Sequence, residues 1–173
     1  WDFQLEGWEG FRNARPNAAH RACVKLEQAG KLEMVVTQNI DGLHSLAGLG
    51  RERLVEIHGT NRIVQCQSCQ AESDPEEHFE FFKREKKAPR CECGGLLKPA
   101  TISFGQQLRE EDMARASRAA HSADLVIALG STLSVYPAAA IPLAAAERGI
   151  PYLIINKGPT EHDQHQSVKL RLE

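Results

Sequence analysis

Two cysteine pairs, Cys66-x2-Cys69 and Cys91-x-Cys93, lie 21 residues apart and constrain this chain more than any other feature. Four thiolates at such spacing satisfy a tetrahedral Zn²⁺, and a closed all-cysteine site leaves no position open for water. The metal is therefore expected to be structural and not catalytic. The competing reading is four small hydrophobes packed without a metal. Residues 61–98 contain few long apolar runs, so the ion would take the place of a core. Cys23, the fifth cysteine, shares helical spacing with Ala19 and Leu26 and is expected in the core. An odd cysteine count without a secretion signal argues against disulfides and for a reducing, cytoplasmic setting.

The cysteine segment is electrically balanced. Residues 61–98 hold seven basic and seven acidic side chains, and the whole chain of 173 residues carries a formal net charge of −2. Bulk-charge binding of nucleic acid is thereby disfavoured. The longest apolar stretches, residues 125–130 and 135–146, are too short or too broken by proline to cross a bilayer. The chain starts at Trp1 and not at methionine, which is read here as the mark of a piece of a longer protein.

On either side of that segment the pattern is α/β. Pro16 suits a first helical turn, Ala19, Cys23 and Leu26 follow at helical spacing, and Gly30 supplies a stop. Met34-Val35-Val36-Thr37 reads as a buried strand. The run Leu125-Val126-Ile127-Ala128-Leu129 is continuous enough for a strand covered on both faces. An alanine-rich helix to about Arg148 follows, with Pro142 expected to kink or delimit it. Pro151-Tyr152-Leu153-Ile154-Ile155-Asn156 reads as a second strand, and residues 108–121 as a helix packed on this sheet. The expected architecture is a Rossmann-like parallel-sheet lobe, residues 1–60 and 99–173, with a zinc-ribbon-like module, residues 61–98, inserted.

Candidate chemistry gathers at the strand ends. Gln38, Asn39 and Asp41 follow the strand ending at Thr37, where open α/β sheets place ligands; a plain turn uses the same residue types. His58-Gly59-Thr60 offers an imidazole able to move a proton near neutral pH, and taken alone it also reads as a surface or satisfied core histidine. Gly130-Ser131-Thr132-Leu133 follows the second-half strand and can present N–H groups to a phosphate. His162 and His165 are spaced to share a metal, yet residues 161–166 read as a solvated loop. The basic run of residues 83–87 reads as a charged helix face.

Taken together and in order, these pieces resemble the sirtuin family of NAD-dependent protein-lysine deacylases. The resemblance rests on Ala14-Arg15-Pro16-Asn17-Ala18-Ala19-His20, Thr37-Gln38-Asn39-Ile40-Asp41-Gly42-Leu43-His44, His58-Gly59-Thr60 and the paired cysteines. Ser103-Phe104-Gly105-Gln106, Gly130-Ser131-Thr132-Leu133 and Ile155-Asn156 complete it, so that it runs from Trp1 to Lys169.

The resemblance implies a Rossmann-like lobe, a small zinc lobe and a substrate lysine entering between them. The acyl-lysine oxygen would attack the nicotinamide ribose of NAD, releasing nicotinamide and leaving an alkylimidate, and the acyl group would pass to ADP-ribose. His58 would act as general base on a ribose hydroxyl. Asn39 would orient the ribose and a water, Asp41 would line the nicotinamide pocket, and Gln38 would contact the ribose. Gly130, Ser131 and Asn156 would hold the NAD phosphates and adenosine ribose. Phe104 and Gly105 would run beside an acylated-lysine peptide in the manner of an added strand. Neither nucleic acid nor membrane is implied as a partner.

Three departures from the family pattern stand out. Cys91-x-Cys93 is one residue tighter than the usual pair, and Gly130-Ser131-Thr132 reverses the more common hydroxyl order. The family's glycine-rich loop belongs upstream, and no GxGxxG-like cradle occurs in this sequence. Its first strand and much of the pyrophosphate site are accordingly expected to be missing. A folded, inactive zinc module that only binds partners is the alternative function.

Overall fold

A computed structural model describes residues 1–165 and the backbone of the strand Val168–Arg171. Gln166, Ser167 and the terminal Leu172-Glu173 pair lie outside the described residues. The chain forms two compact units, Trp1–Leu108 and Arg109–Glu173.

The first unit opens with helices α1 (Asp2–Asn13) and α2 (Ala18–Gln28). Asn17 caps α2: its Oδ1 accepts from the Ala19 and His20 N–H groups, while His20 Nδ1 accepts from the Asn17 N–H. The reciprocal cap starts the helix at Ala18, so Pro16, expected in its first turn, lies outside it just ahead of the cap. Cys23 is only half-buried and Leu26 is exposed, so the α2 face expected in the core is not covered among the described residues.

Strand β1 (Val35–Thr37) leads through the short helix α3 (Leu43–Leu46) to β2 (Leu54–Glu56). The two strands pair in parallel, Val35 beside Leu54 and Thr37 beside Glu56. Strand β3 (Gly59–Cys66) then lies between antiparallel β4 (Glu72–Ser73) and β5 (Leu97–Thr101).

Helix α4 (Pro75–Glu85) connects β4 and β5, capped by Asp74 with Pro75 in its first turn. It buries Phe79 and Phe82. Trp8 stacks on Phe79 with ring centroids 4.2 Å apart, and Trp1 meets the same ring edge-on at 5.0 Å. Trp1 also packs against Val64, Cys66 and Leu97, and its Nε1 donates to the Leu97 carbonyl at 3.0 Å. The cysteine segment therefore has an aromatic core after all, because α1 and its N-cap lend it Trp8 and Trp1 from outside residues 61–98.

The second unit is a parallel sheet in the order β6 (Val126–Leu129), β7 (Tyr152–Asn156), β8 (Val168–Arg171). Helices α5 (Glu110–Ser122) and α6 (Ala140–Glu147) pack on each other through small residues. Pro142 sits in the first turn of α6, where it removes no helical hydrogen bond, so the helix simply runs past it. Val126 and Ala128 pack on a core of Leu133, Tyr152 and Ile154. Ile127 and Leu129 on the opposite face are 45% and 53% exposed, which corrects the expectation of a strand covered on both sides.

The solvated-loop reading of residues 161–166 holds for the exposed Glu161, Gln164 and His165 and is corrected at His162, Gln166 lying outside the described residues. His162 is 1% exposed and its Nδ1 lies 3.1 Å from the Tyr152 hydroxyl. No helix among the described residues is long and apolar enough to cross a membrane.

Candidate functional site

The four sulfurs of Cys66, Cys69, Cys91 and Cys93 all lie within 4.8 Å of one another. Cys66 and Cys93 are 3.5 Å apart, and Cys69 and Cys91 3.7 Å apart. A tetrahedral site with Zn–S bonds of about 2.3 Å has S···S edges of about 3.8 Å, so the donor set fits that ion in number, chemistry and spacing. Two backbone knuckles build it. In the first, Cys66 exchanges backbone bonds with Ala71 and Gln70; in the second, the Gly94 N–H returns to the Cys91 carbonyl and the Cys91 N–H to Gly95. The shorter Cys91-x-Cys93 spacing closes because the turn is completed by two glycines.

Gly95 is pressed against the cluster. A Cβ there would stand 2.6 Å from Ser68 Oγ and 2.7 Å from Cys66 Sγ. Charge is shared unevenly among the thiols. The N–H groups of Cys69 and Ser68 pull the Cys66 thiol down to about 6. The Ala71 N–H favours the Cys69 thiolate, yet crowding by Cys93, Cys66 and Cys91 pushes that thiol up to about 12. One thiolate thus discourages its neighbours, a conflict that a dication would relieve.

At the end of β1 the backbone turns under close control. The carbonyl of Thr37 accepts from the Ile57 N–H at 3.0 Å, and that of Ile40 from the Asn61 N–H at 2.8 Å. Asp41 Oδ1 accepts the Leu43 N–H at 2.9 Å and so starts α3. His58, half-buried on the β2–β3 connection, places Nδ1 3.1 Å from the Gln38 carbonyl. A carbonyl can only accept, so Nδ1 carries a proton, and in the neutral ring the lone pair then lies on Nε2. Gln38, Asn39 and Asp41 thus share the turn after β1, His58 is tied to it through the Gln38 carbonyl, and Asn39 is exposed.

His44 stacks obliquely on His20 at 4.7 Å, and burial, reinforced by His20, pulls its pKa down against the pull of Asp41. Phe104 and Gly105 follow β5 and are exposed, Phe104 at 98%. The Ile102 N–H donates to the His58 carbonyl at 2.8 Å, tying that segment to the histidine.

Two residues here escaped the sequence reading. Asn61 is 1% exposed and its side-chain amide finds no hydrogen-bond partner among the described residues. Arg62 sends its guanidinium to the Asp41 and Phe11 carbonyls at 2.8 and 2.7 Å. The only available signal was their position, directly after His58-Gly59-Thr60.

Gly130, Ser131 and Asn156 belong to the second unit. The Gly130 N–H donates to the Ile155 carbonyl at 2.9 Å, bringing the carboxyl ends of β6 and β7 together. Ser131 Oγ accepts the Leu133 N–H at 3.1 Å, Thr132 Oγ1 meets Ser134 Oγ at 2.8 Å, and Asn156 Nδ2 donates to the Gly158 carbonyl. Small polar residues beyond adjacent parallel strands occupy the usual ligand position of such sheets.

The sequence model of the Sir2 family matches residues 4–137, which takes in the polar turn, His58 and all four clustered cysteines. The chain belongs to the Sir2 family. An NAD-dependent protein deacetylase of Sulfolobus acidocaldarius is 39% identical over 171 residues, covering 99% of this chain and 66% of that protein. Its counterpart in Rhodopseudomonas palustris is 41% identical over 172 residues, covering 99% and 68%.

Among solved structures, a Sir2 complex with a p53 peptide and NAD⁺ matches with TM-score 0.91 at 34% identity, over 99% of this chain and 70% of that one. A Sir2 bound to acetylated peptide matches equally well, over 99% and 71%. This Sir2-family chain spans about two thirds of the length of the curated relatives it matches. Its α/β architecture, with parallel sheets and a four-cysteine cluster, is that of the sirtuin fold.

Proposed function

We propose that this chain carries the base-bearing part of an NAD-dependent protein-lysine deacetylase, a transferase that cleaves NAD to nicotinamide and passes the acyl group to ADP-ribose. The observation that carries this reading is the His58 Nδ1–H bond to the Gln38 carbonyl, which leaves Nε2 of the neutral ring as the proton acceptor on a histidine tied to the turn that carries Asn39 and Asp41. NAD, when bound, supplies a ribose whose bond to nicotinamide is the one that breaks. His58 Nε2 takes the proton of a ribose hydroxyl, Asn39 orients the ribose and a water, and Gln38 contacts the ribose. Asp41 lines the nicotinamide pocket. Gly130, Ser131 and Asn156 bind the phosphates and adenosine ribose.

Phe104 and Gly105 offer backbone to an acylated-lysine peptide, with affinity drawn from main-chain bonds. Cys66, Cys69, Cys91 and Cys93 hold a structural Zn²⁺ within the module of residues 61–98, while residues 1–60 and 99–173 make the NAD-binding lobe. Reduced thiols fit a cytoplasmic location.

The test, in the full-length protein, is NAD-dependent deacetylation of an acetyl-lysine peptide, measured through nicotinamide release, with His58→Ala alongside. Turnover should fall about 10²- to 10⁴-fold in the variant, with zinc content unchanged. Surviving turnover in His58→Ala removes the base assignment. Peptide binding by a wild-type protein that never consumes NAD would favour the binding-module alternative.

A further inference from the structure

Four carbonyls of one turn are held by one short run of chain. Ile57 N–H takes Thr37, His58 Nδ1 takes Gln38, Asn61 N–H takes Ile40 and Arg62 Nε takes Asp41. Two of these donors are backbone amides and one is an imidazole N–H. The fourth is a guanidinium, whose hydrogen bonds are the stronger kind. Arg62 also reaches, through Nη2, the carbonyl of Phe11 in the last turn of α1, an acceptor with no partner inside its own helix. The cation sits where the helix end favours positive charge.

The turn is shaped to admit this side chain. Gly42 has φ +66°, and a Cβ there would stand 2.5 Å from Arg62 Cγ. Glycine is thus required twice, by its backbone and by the arginine stem that crosses it.

We propose that Arg62 is a positioning residue for His58: it clamps residues 38–42 against β3, keeping the Gln38 carbonyl where it holds the Nδ1–H tautomer. The inference rests on the reading of His58 as the base. A planar fork spans two carbonyls at once, which a lysine ammonium does not reproduce. A merely structural arginine would alter stability and leave the imidazole as it is.

Ring ¹⁵N–¹H correlation spectra of the zinc-loaded chain report the His58 tautomer without NAD. Amide exchange at Leu43 and Asn61 reports the turn. In Arg62→Ala the tautomer should move toward Nε2–H, and exchange at both amides should quicken about tenfold, with zinc content kept. Arg62→Lys should show a smaller change in the same direction.

A folded Arg62→Ala with wild-type tautomer and exchange overturns the proposal. If that variant does not fold, wild-type behaviour in Arg62→Lys overturns it instead. A tautomer shift alongside undiminished turnover in His58→Ala would keep the clamp and discard the base assignment, so the two readings fail separately.

Discussion

At the scale of single residues, the thiol cluster depends on a neighbour that is not a ligand. Gly95 leaves no room for a Cβ between Ser68 Oγ and Cys66 Sγ. The Gly95→Ala methyl must displace the Cys66 sulfur or the knuckle that carries it. Zinc affinity should drop about 10- to 100-fold, as for other changes that disturb ligand orientation. Competition with a chromogenic chelator measures it; Gly10→Ala, where a Cβ meets nothing within 4 Å, serves as control. Equal affinity in the two variants would show that Cys66 yields freely. The cysteines themselves could be read from spacing because a metal site needs only ligand type and a short turn. The burial of His162 could not, since a polar, charged stretch gives no sign that Tyr152 will take one histidine inward.

Elements were legible where local rules act alone and misjudged where packing decides. Strands β1, β6 and β7 and helices α2, α5 and α6 follow from runs, caps and periodicity. The turn after β1 is legible as a polar strand end, but the roles of Arg62 and Asn61 arise from contacts between segments. Coverage of faces is likewise tertiary, which is why β6 shows Ile127 and Leu129 to solvent and α2 leaves Leu26 exposed.

The cysteine segment shows the same limit from the opposite side. Its shortage of apolar residues is real, and α1 and its N-cap make up for it with Trp8 and Trp1. Phe79, fully buried between those rings, is the centre of that arrangement. Phe79→Ala should cost about 3–5 kcal/mol in urea unfolding, the usual range for a large buried aromatic. A cost below about 1 kcal/mol would mean that the metal alone organises the module.

Across the whole molecule, each compact unit carries a histidine held neutral by its surroundings. Burial lowers the pKa of His44 in the first unit, with His20 adding to the effect and Asp41 opposing it. Burial does the same to His162 in the second, aided by His165 and opposed by Glu161. Both folded values lie below the ordinary 6.5. The unfolded chain therefore binds protons first as pH falls. Stability from these sites is complete above 6.5 and is lost as pH drops toward and through the folded values.

Acid also protonates the thiolates of the first unit, which weakens metal binding there. The second unit has none of the four clustered cysteines, so His162 separates the two causes. Urea unfolding at about pH 7.5 and about pH 5.5 should show lower stability in acid for the wild type. His162→Gln, which can still face the Tyr152 hydroxyl, should lose less over the same interval. An identical loss in both proteins would assign the acid sensitivity to the first unit, to His44 and the thiol cluster together, and remove His162 from the account.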